Sequence, residues 1–387
     1  MTTQLVVTGI GMLLTGRLAD PVAQADVVVI SDGRIAAIGG SVPHDYRGPV
    51  LDVAGATVMP GLVDNHIHPV SGDYTPRQFQ TNYLEGFVHG GVTTAISAGE
   101  VHTPGRPKDR EGTKALAVLA AKSFANLRPA GIKVHGGALL LEEGLTEQDF
   151  TDLAKQGVHL VGEIGISSVQ DPETAAQMTR WAQAAGMTVT VHVGGQSVPT
   201  SRTIDAAFVI AVQPDVAAHV NGGPTAPSIS DVERILDQTD ACVEIVHNGN
   251  VRAARDVAML VRSQDVMRRL VIGTDSPAGT GVVPLGILRT LSWIASLADI
   301  PGPQAVATAT GNTMRARKLE GGVIQVGAPA DLVVGDAPGG SQADDLCGAL
   351  EAGDTPAVAA VVIDGEIVIQ KSRNTPPPKR QIMVGEA

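Results

Sequence analysis

Two histidines separated by one residue, His66 and His68, close the apolar run GLVDNHIH. Residues two apart in a β-strand point to the same face, so both imidazoles can enter one site. Imidazole nitrogen is a ligand that zinc and divalent iron accept. The pair is therefore the first indication of a metal site.

Four further titratable residues stand at or near the ends of other apolar runs. They are Glu163 in VHLVGEIG, His192 in MTVTVHVG, His219 in DVAAHVNG and Asp275 in LVIGTDS. A buried carboxylate needs a compensating charge or hydrogen bonds, and a metal ion can provide the charge. The alternatives are a salt-bridged core role for Glu163 and a turn-capping role for Asp275. Because the pattern recurs in six residues, it favours a shared metal centre.

The elements that must position these residues lie between positions 59 and 316. Helix-like stretches with a 3.6-residue periodicity alternate there with strand-like runs. Eight buried strands alternating with helices predict a TIM (β/α)8 barrel, in which active groups lie at the carboxyl ends of the strands. A doubly wound open sheet is the alternative, and no phosphate-binding glycine fingerprint follows the first strand to support it. The eight runs begin near Gly61, Val92, Ile132, Val158, Met187, Asp215, Cys242 and Leu270.

Both ends of the chain consist of short β-rich runs joined by turns. Asp32-Gly33 and Asp364-Gly365 are the dipeptides typical of tight hairpins. The sequence predicts that residues 1–58 and 317–387 combine into one small β-sandwich domain beside the catalytic barrel of residues 59–316.

Composition excludes several classes of protein. The chain has 387 residues and a formal net charge of −12, so it lacks the basic footprint of a nucleic-acid-binding protein and would be repelled by an acidic membrane surface. The apolar amino-terminal stretch has no basic segment before it and is interpreted as a strand rather than a secretion signal. The only cysteines, Cys242 and Cys347, argue against a disulfide scaffold. We expect a cytoplasmic protein.

The motifs that carry the candidate residues resemble those of the amidohydrolase superfamily. They are MPGLVDNHIH, GVTTAISAG, VTVHVGG, AHVNGG, IGTDSP and GAPADLVV. Their order along the chain also resembles the family pattern of two histidines, an acid, two single histidines and an aspartate. The resemblance implies a metal-dependent hydrolase that acts on carbon–nitrogen bonds in cyclic amides.

The same resemblance implies roles for the individual residues. His66, His68 and Asp275 would hold one metal ion, and His192 and His219 would hold a second. Glu163 would bridge the two ions, where many family members use a carbamylated lysine. Asp275 would also be the catalytic residue that moves the proton. The implied cofactors are two divalent ions, zinc, iron or both, and the implied assembly is a homo-oligomer, a tetramer.

Longer stretches, among them RPAGIKVHGGA and KSRNTPP, resemble family members that open a cyclic enamide. The leading substrate is 6-oxo-1,4,5,6-tetrahydronicotinate, which would yield 2-formylglutarate and ammonia. A substrate carboxylate needs a cationic or amide-rich clamp. The basic candidates in this sequence are Arg77, Arg106, Lys108 and Lys133. His247, at the end of the seventh strand, is a further candidate that would lie near the barrel mouth.

Other functions remain open at this point. A dihydroorotase- or hydantoinase-like enzyme would use the same two-metal chemistry on another ring. A deaminase of the same superfamily would work with one metal and without a bridging acid, and a non-catalytic relative would tend to lose ligands. Glu163 and the full set of six ligand types favour the two-metal cyclic amidase, whose partner would be a small molecule.

Overall fold

The computed structural model describes residues 4–42, 44, 46–70, 72–196, 201–222, 226–278 and 281–386. The strands in these residues are β1 (Gln4–Thr8), β2 (Met12–Leu14), β3 (Val22–Ala23), β4 (Val27–Ser31), β5 (Arg34–Ile38), β6 (Pro49–Asp52), β7 (Thr57–Pro60), β8 (Leu62–Ile67), β9 (Tyr74–Thr75), β10 (Gln80–Thr81), β11 (Val92–Ser97), β12 (Lys133–His135), β13 (Leu160–Ile164), β14 (Thr188–His192), β15 (Val216–Ala218), β16 (Cys242–Val246), β17 (Leu270–Gly273), β18 (Leu332–Asp336), β19 (Ala357–Ile363), β20 (Glu366–Ile369) and β21 (Met383–Glu386).

The same residues also form helices, most of which follow barrel strands. They are α1 (Tyr83–Val88), α2 (Arg110–Asn126), α3 (Glu147–Lys155), α4 (Pro172–Ala184), α5 (Ala206–Val212), α6 (Ile229–Gln238), α7 (Val251–Ser263), α8 (Gly286–Ala298), α9 (Gly302–Thr308), α10 (Gly311–Ala316) and α11 (Leu346–Glu351), with short 3-10 turns at Pro129–Gly131 and Met267–Arg269. Of the helices described here, none is both long and apolar enough to cross a membrane.

Eight parallel strands form the barrel as two arcs, ordered β12-β11-β8 and β13-β14-β15-β16-β17. Single parallel bridges between Leu139 and Val161 and between Ile67 and Ser276 join the arcs at their two edges. Each of the eight strands falls within one of the apolar runs that the sequence analysis singled out. The predicted TIM barrel is confirmed, and the open doubly wound sheet is excluded.

Side-chain hydrogen bonds cap the amino-terminal ends of helices around the barrel. The side chain of Asp171 accepts the backbone N–H of Thr174 at 2.8 Å, and Pro172 occupies the first position of α4. Ser228 accepts the backbone N–H of Asp231 at 3.1 Å at the start of α6. Such caps satisfy N–H groups that have no partner inside the helix. They help to fix the points at which these helices begin.

The two ends of the chain contribute strands to two mixed sheets, ordered β21-β6-β1-β4-β5 and β20-β19-β18-β7-β2-β3. In the first sheet β21 pairs with β6, and in the second β18 pairs with β7. Apolar side chains of both sheets, including Leu51 and Leu332, belong to one buried cluster. Both predicted hairpins are present, since Asp32-Gly33 and Asp364-Gly365 have the positive φ angles that their turn requires.

A buried arginine closes the interior of the barrel. Arg317, which follows α10, is fully buried, and its Nε donates to Oδ1 of Asn65 at 2.6 Å. Its Nη1 donates to Oγ1 of Thr190 at 2.8 Å. Asn65 in turn donates through Nδ2 to Oε1 of Glu244 at 2.5 Å, and Glu244 is fully buried. A buried cation therefore supports a buried carboxylate through the side chain of Asn65.

Replacing Arg317 by methionine should lower the free energy of unfolding by about 3–5 kcal/mol, because it leaves the Glu244 carboxylate buried without its cation. The measurement is denaturant unfolding of both proteins. Arg234→Met is the matched control, since Arg234 pairs with Asp231 at the surface with 48% of its side chain exposed. Equal stability losses in the two variants would contradict the role given to Arg317.

Candidate metal centre

Six titratable side chains from five barrel strands or the loops that follow them converge at one end of the barrel. Each lies in the last part of a strand or within two residues of its end, which is where a TIM barrel places functional groups. All but one are at least 93% buried, and Asp275 is 18% exposed. We call them the six-residue cluster: His66, His68, Glu163, His192, His219 and Asp275.

The first half of the cluster consists of His66, His68 and Asp275. The Nε2 atoms of the two histidines lie 3.2 Å apart. Oδ1 of Asp275 lies 3.6 Å from Nε2 of His66 and 3.3 Å from Nε2 of His68. Such separations between donor atoms match those of ligands around one small metal ion. These three residues could hold a metal ion.

Glu163 joins this half to the second one. Its Oε2 lies 3.4 Å from Nε2 of His68 and 3.7 Å from Nε2 of His66. Its other oxygen, Oε1, lies 3.3 Å from Nδ1 of His192 and 2.5 Å from Nε2 of His219. One carboxylate therefore presents one oxygen to each half, and Glu163, His192 and His219 form a second group that could hold a metal ion.

Hydrogen bonds on the far side of the rings orient the histidines. Nδ1 of His68 lies 2.8 Å from the carbonyl oxygen of Gly99, and Nε2 of His192 lies 3.2 Å from that of Gly195. A carbonyl oxygen only accepts, so each of these nitrogens carries the proton. The opposite nitrogen then directs its lone pair into the cluster, as metal-binding histidines require.

The electrostatics of the cluster favour positive charge between the carboxylates. Burial opposes ionisation of Glu163, but His219 and His66 hold its pKa well below the usual carboxyl range. Burial likewise opposes a charge on His68, yet hydrogen bonds to Asp275 and Glu163 raise its pKa to about 9. Ionised carboxylates that draw cationic partners in a buried space provide the environment in which a divalent ion is stable.

Backbone geometry at two cluster residues is unusual. Asp275 and His219 have φ angles of 57° and 34°, in the left-handed region that residues with a side chain seldom occupy. Nδ2 of Asn248 donates to the carbonyl oxygens of Asp275, Ala278 and Gly281, which braces the loop after β17. Strain of this kind persists where surrounding structure enforces it, and it is frequent at functional sites.

Glu244 is a buried carboxylate beside the cluster that the sequence analysis missed. Its Oε2 accepts a hydrogen bond from Nδ1 of His66 at 2.7 Å. A Cβ atom at Gly273 would lie 2.6 Å from Cβ of His66 and 3.0 Å from Oε1 of Glu244, so only glycine fits at that point of β17. The signal was available, because CVEIV places a carboxylate in an apolar run just as VHLVGEIG does.

Asp64, two residues before His66, is a second missed carboxylate. It accepts the backbone N–H of Thr274 at 2.8 Å and its hydroxyl at 2.6 Å, and burial raises the pKa of Asp64 to about 7. These bonds fasten the first barrel strand to the segment that carries Asp275. The first and last strands of the barrel, β8 and β17, are thereby joined beside the six-residue cluster.

Three of the predicted carboxylate-binding residues lie in loops on the cluster side of the barrel. Arg77 is exposed in the hairpin of β9 and β10, and Lys108 is exposed in the loop after β11. Arg106, in the same loop, lies 3.5 Å from the buried carboxylate of Glu142. The pKa of His102 is lowered to about 3, chiefly by burial and then by the nearby His68 and Arg77. The charge of Arg77 therefore acts on an imidazole that lies beside the cluster. Among the three, Arg77 is the one linked electrostatically to the site.

The positions of Lys133 and His247 correct two predictions. Lys133 begins β12, at the end of the barrel opposite the cluster, and its Nζ contacts Asp331 and Asp364. His247 stacks on Trp293 of α8, with ring centroids 4.7 Å apart, because its side chain points outward from the barrel. Lys133 is therefore remote from the cluster, and the contacts shown for His247 are with α8 rather than with the cluster.

A family model for the amidohydrolase family matches residues 57–368. The chain is 50% identical to the enamidase of Eubacterium barkeri over 377 residues, 97% of this chain and 98% of that protein. It belongs to the amidohydrolase family. The crystal structure of enamidase matches it with a TM-score of 0.97 at 49% identity, covering 99% of this chain and all of the other. The imidazolonepropionase of Mycolicibacterium smegmatis is 27% identical over 96% of this chain and its own full length.

The predicted membership and the predicted hydrolase class are thus confirmed. Metal ions are generally used in the amidohydrolase family, and the six-residue cluster contains two groups of side chains that could bind them. The fold, the order of the motifs and the position of the cluster agree with one another.

Glu244→Gln should weaken metal binding by about 10- to 100-fold, because the neutral amide orients and polarises His66 less well than the carboxylate does. Competition with a chelator, followed by elemental analysis, measures the effect. Glu366→Gln, at an exposed position, serves as the control. A variant that keeps the affinity of the unmodified protein would show that Glu244 has only a packing role.

Proposed function

We propose that this chain is a hydrolase that opens the amide bond of a small cyclic enamide. The likeness to enamidase supports the proposal, since it extends over 98% of that protein at 50% identity. The observation that carries the chemistry is the position of Glu163, whose two oxygens face different halves of the six-residue cluster.

The residues of the cluster fit two divalent ions. His66, His68 and Asp275 would hold one, His192 and His219 would hold the other, and Glu163 would bridge them. Nitrogen and carboxylate ligands in this proportion suit zinc and divalent iron. Bound there, such ions lower the pKa of a water molecule to near neutrality and polarise a carbonyl group as Lewis acids.

Asp275 has the position needed to move the proton of the reaction. It is the most exposed of the six side chains, at 18%, so it faces both the cluster and the mouth of the barrel. We propose that its carboxylate accepts a proton from the attacking water and delivers it to the ring nitrogen as the carbon–nitrogen bond breaks. The freed enamine can tautomerise to an imine, and a second water then releases ammonia and leaves an aldehyde.

The leading substrate is 6-oxo-1,4,5,6-tetrahydronicotinate, with 2-formylglutarate and ammonia as products. This assignment rests on the resemblance of the whole chain to enzymes that open cyclic enamides. The carboxylate of this substrate is compatible with the site, since two divalent cations would outweigh the negative charges of Glu163 and Asp275. Arg77 is the basic residue whose charge acts nearest the cluster.

The other candidate functions have less support. A mononuclear deaminase has no need of a carboxylate shared between two groups of histidines. The dihydroorotase- and hydantoinase-like reactions would use the same centre, so a substrate panel must separate them from the cyclic enamidase. A non-catalytic role has no supporting feature in the six-residue cluster.

We further propose that residues 1–58 and 317–387 form a β-sandwich domain beside a catalytic barrel of residues 59–316. The shared apolar cluster between the two terminal sheets supports this division. Cys242 and Cys347 are buried and form no disulfide, which supports a cytoplasmic location. A homo-oligomer, in particular a tetramer, remains a prediction from family resemblance.

The purified protein should contain about two metal ions per chain, as zinc, iron or both. Glu163→Gln should lower that content, because an amide is a poorer bridge between two cations than a carboxylate. Elemental analysis gives both numbers, with Glu366→Gln as the control. Normal metal content in Glu163→Gln would argue against a bridge.

Asp275→Asn should retain the fold and lower kcat by at least about 100-fold, because the amide cannot carry the proton. Circular dichroism checks the fold and steady-state kinetics gives kcat. Asp256→Asn, at a residue paired with Arg255 on α7, should leave kcat unchanged. Near-normal turnover in Asp275→Asn would mean that the proton takes another route.

The deciding experiment is a panel of six-membered lactams, imides and hydantoins, with and without a ring carboxylate. We expect the highest kcat/KM for the carboxylated cyclic enamide. A higher kcat/KM for uncharged rings or for hydantoins would refute the proposed substrate, and inertness of the metal-loaded protein on the whole panel would refute the proposed function.

A further inference from the structure

His102 lies in the loop after β11, directly against the six-residue cluster. Its ring meets that of His68 edge-on, with centroids 5.4 Å apart and planes at 79°. The charges of Glu163 and Asp275 also act on it. The side chain is therefore a direct neighbour of the cluster without belonging to either group of possible metal ligands.

One nitrogen of this imidazole forms no hydrogen bond with the described part of the chain. Nε2 of His102 is shielded from solvent and has no hydrogen-bond partner among the residues that the structure describes. More than nine-tenths of buried polar groups in proteins are paired, and exceptions concentrate at functional positions. An unpaired nitrogen beside the six-residue cluster is therefore a candidate for a hydrogen bond to a bound molecule.

We propose that Nε2 of His102 donates a hydrogen bond to the carbonyl oxygen of the amide that is cleaved. The inference rests on the proposed function and names a further residue of the same site. The bond would be strongest when water adds to the carbonyl carbon, since the electron pair of the C=O bond then moves onto the oxygen. No proton leaves His102 in this step.

An imidazole N–H group that donates to an oxygen can stabilise negative charge there without giving up its proton. The role proposed for His102 is therefore separate from the proton transfer proposed for Asp275.

The position of His102 favours the carbonyl oxygen over the substrate carboxylate. In the leading substrate these two groups stand at opposite ends of a six-membered ring. The carbonyl must approach Asp275 for proton transfer to the adjacent nitrogen, and His102 borders that same region. Arg77, which is exposed in the hairpin of β9 and β10, lies farther toward solvent, where the carboxylate end of the ring would point.

Two substitutions at this position separate the hydrogen bond from mere packing. His102→Met fills a similar space without a donor, whereas His102→Gln places an amide N–H close to the position of Nε2. In the metal-loaded enzyme, His102→Met should lower kcat by about 100- to 1,000-fold, the usual effect of losing one oxyanion donor. KM and metal content should stay within about twofold of the unmodified enzyme, and His102→Gln should recover at least about tenfold in kcat.

His159→Gln is the matched control, because His159 is a partly buried histidine near the opposite end of the barrel, paired with His135. It should leave kcat unchanged. Unaltered kcat in His102→Met would overturn the inference, as would an increase in KM alone, a loss of metal, or equal defects in the methionine and glutamine variants. These results are distinct from failure of the proposed function, in which the unmodified enzyme itself would open no cyclic amide.

Discussion

A buried carboxylate shared by four histidines is the constraint on which the rest of this structure depends. Glu163 is 96% buried, and isolating its charge from water would be unfavourable by several kcal/mol without nearby positive charge. Each oxygen of Glu163 therefore meets two imidazoles, and these come from three other barrel strands and their ends. The closed ring of parallel strands is what brings residues so far apart in the chain around a single carboxylate.

Much of this arrangement could be predicted from the sequence, because barrel strands obey simple rules. The runs around His66, Glu163 and His192 are apolar, of strand length and separated by helical periodicity, so their carboxyl ends had to meet at one end of a barrel. The Asp32-Gly33 turn could also be predicted, since few other dipeptides adopt the backbone geometry that it requires. In both cases the signal is local and the physical rule has few exceptions.

What escaped prediction depends on which way a side chain points or on partners far along the chain. Lys133 stands at the first residue of a strand rather than the last, so it lies at the wrong end of the barrel. Glu244 faces inward within β16, and only its contacts with His66 and Asn65 reveal that direction. His247 follows the strand and stacks on Trp293 of α8. Local patterns do not encode such long-range bonds.

Arg317, which supports Glu244 through Asn65, also affects the order in which the site is completed during synthesis. Arg317 contacts Asn65 across 252 positions of the chain, and Asn65 holds the carboxylate that orients His66. A ribosome must therefore translate most of the message before the first histidine pair acquires its final orientation. Earlier segments of a chain can begin to fold during synthesis, but the bond from Arg317 to Asn65 forms only after residue 317 has been translated. The hydrogen bonds that orient His66 are therefore completed only late in translation, once the carboxyl-terminal segment is available.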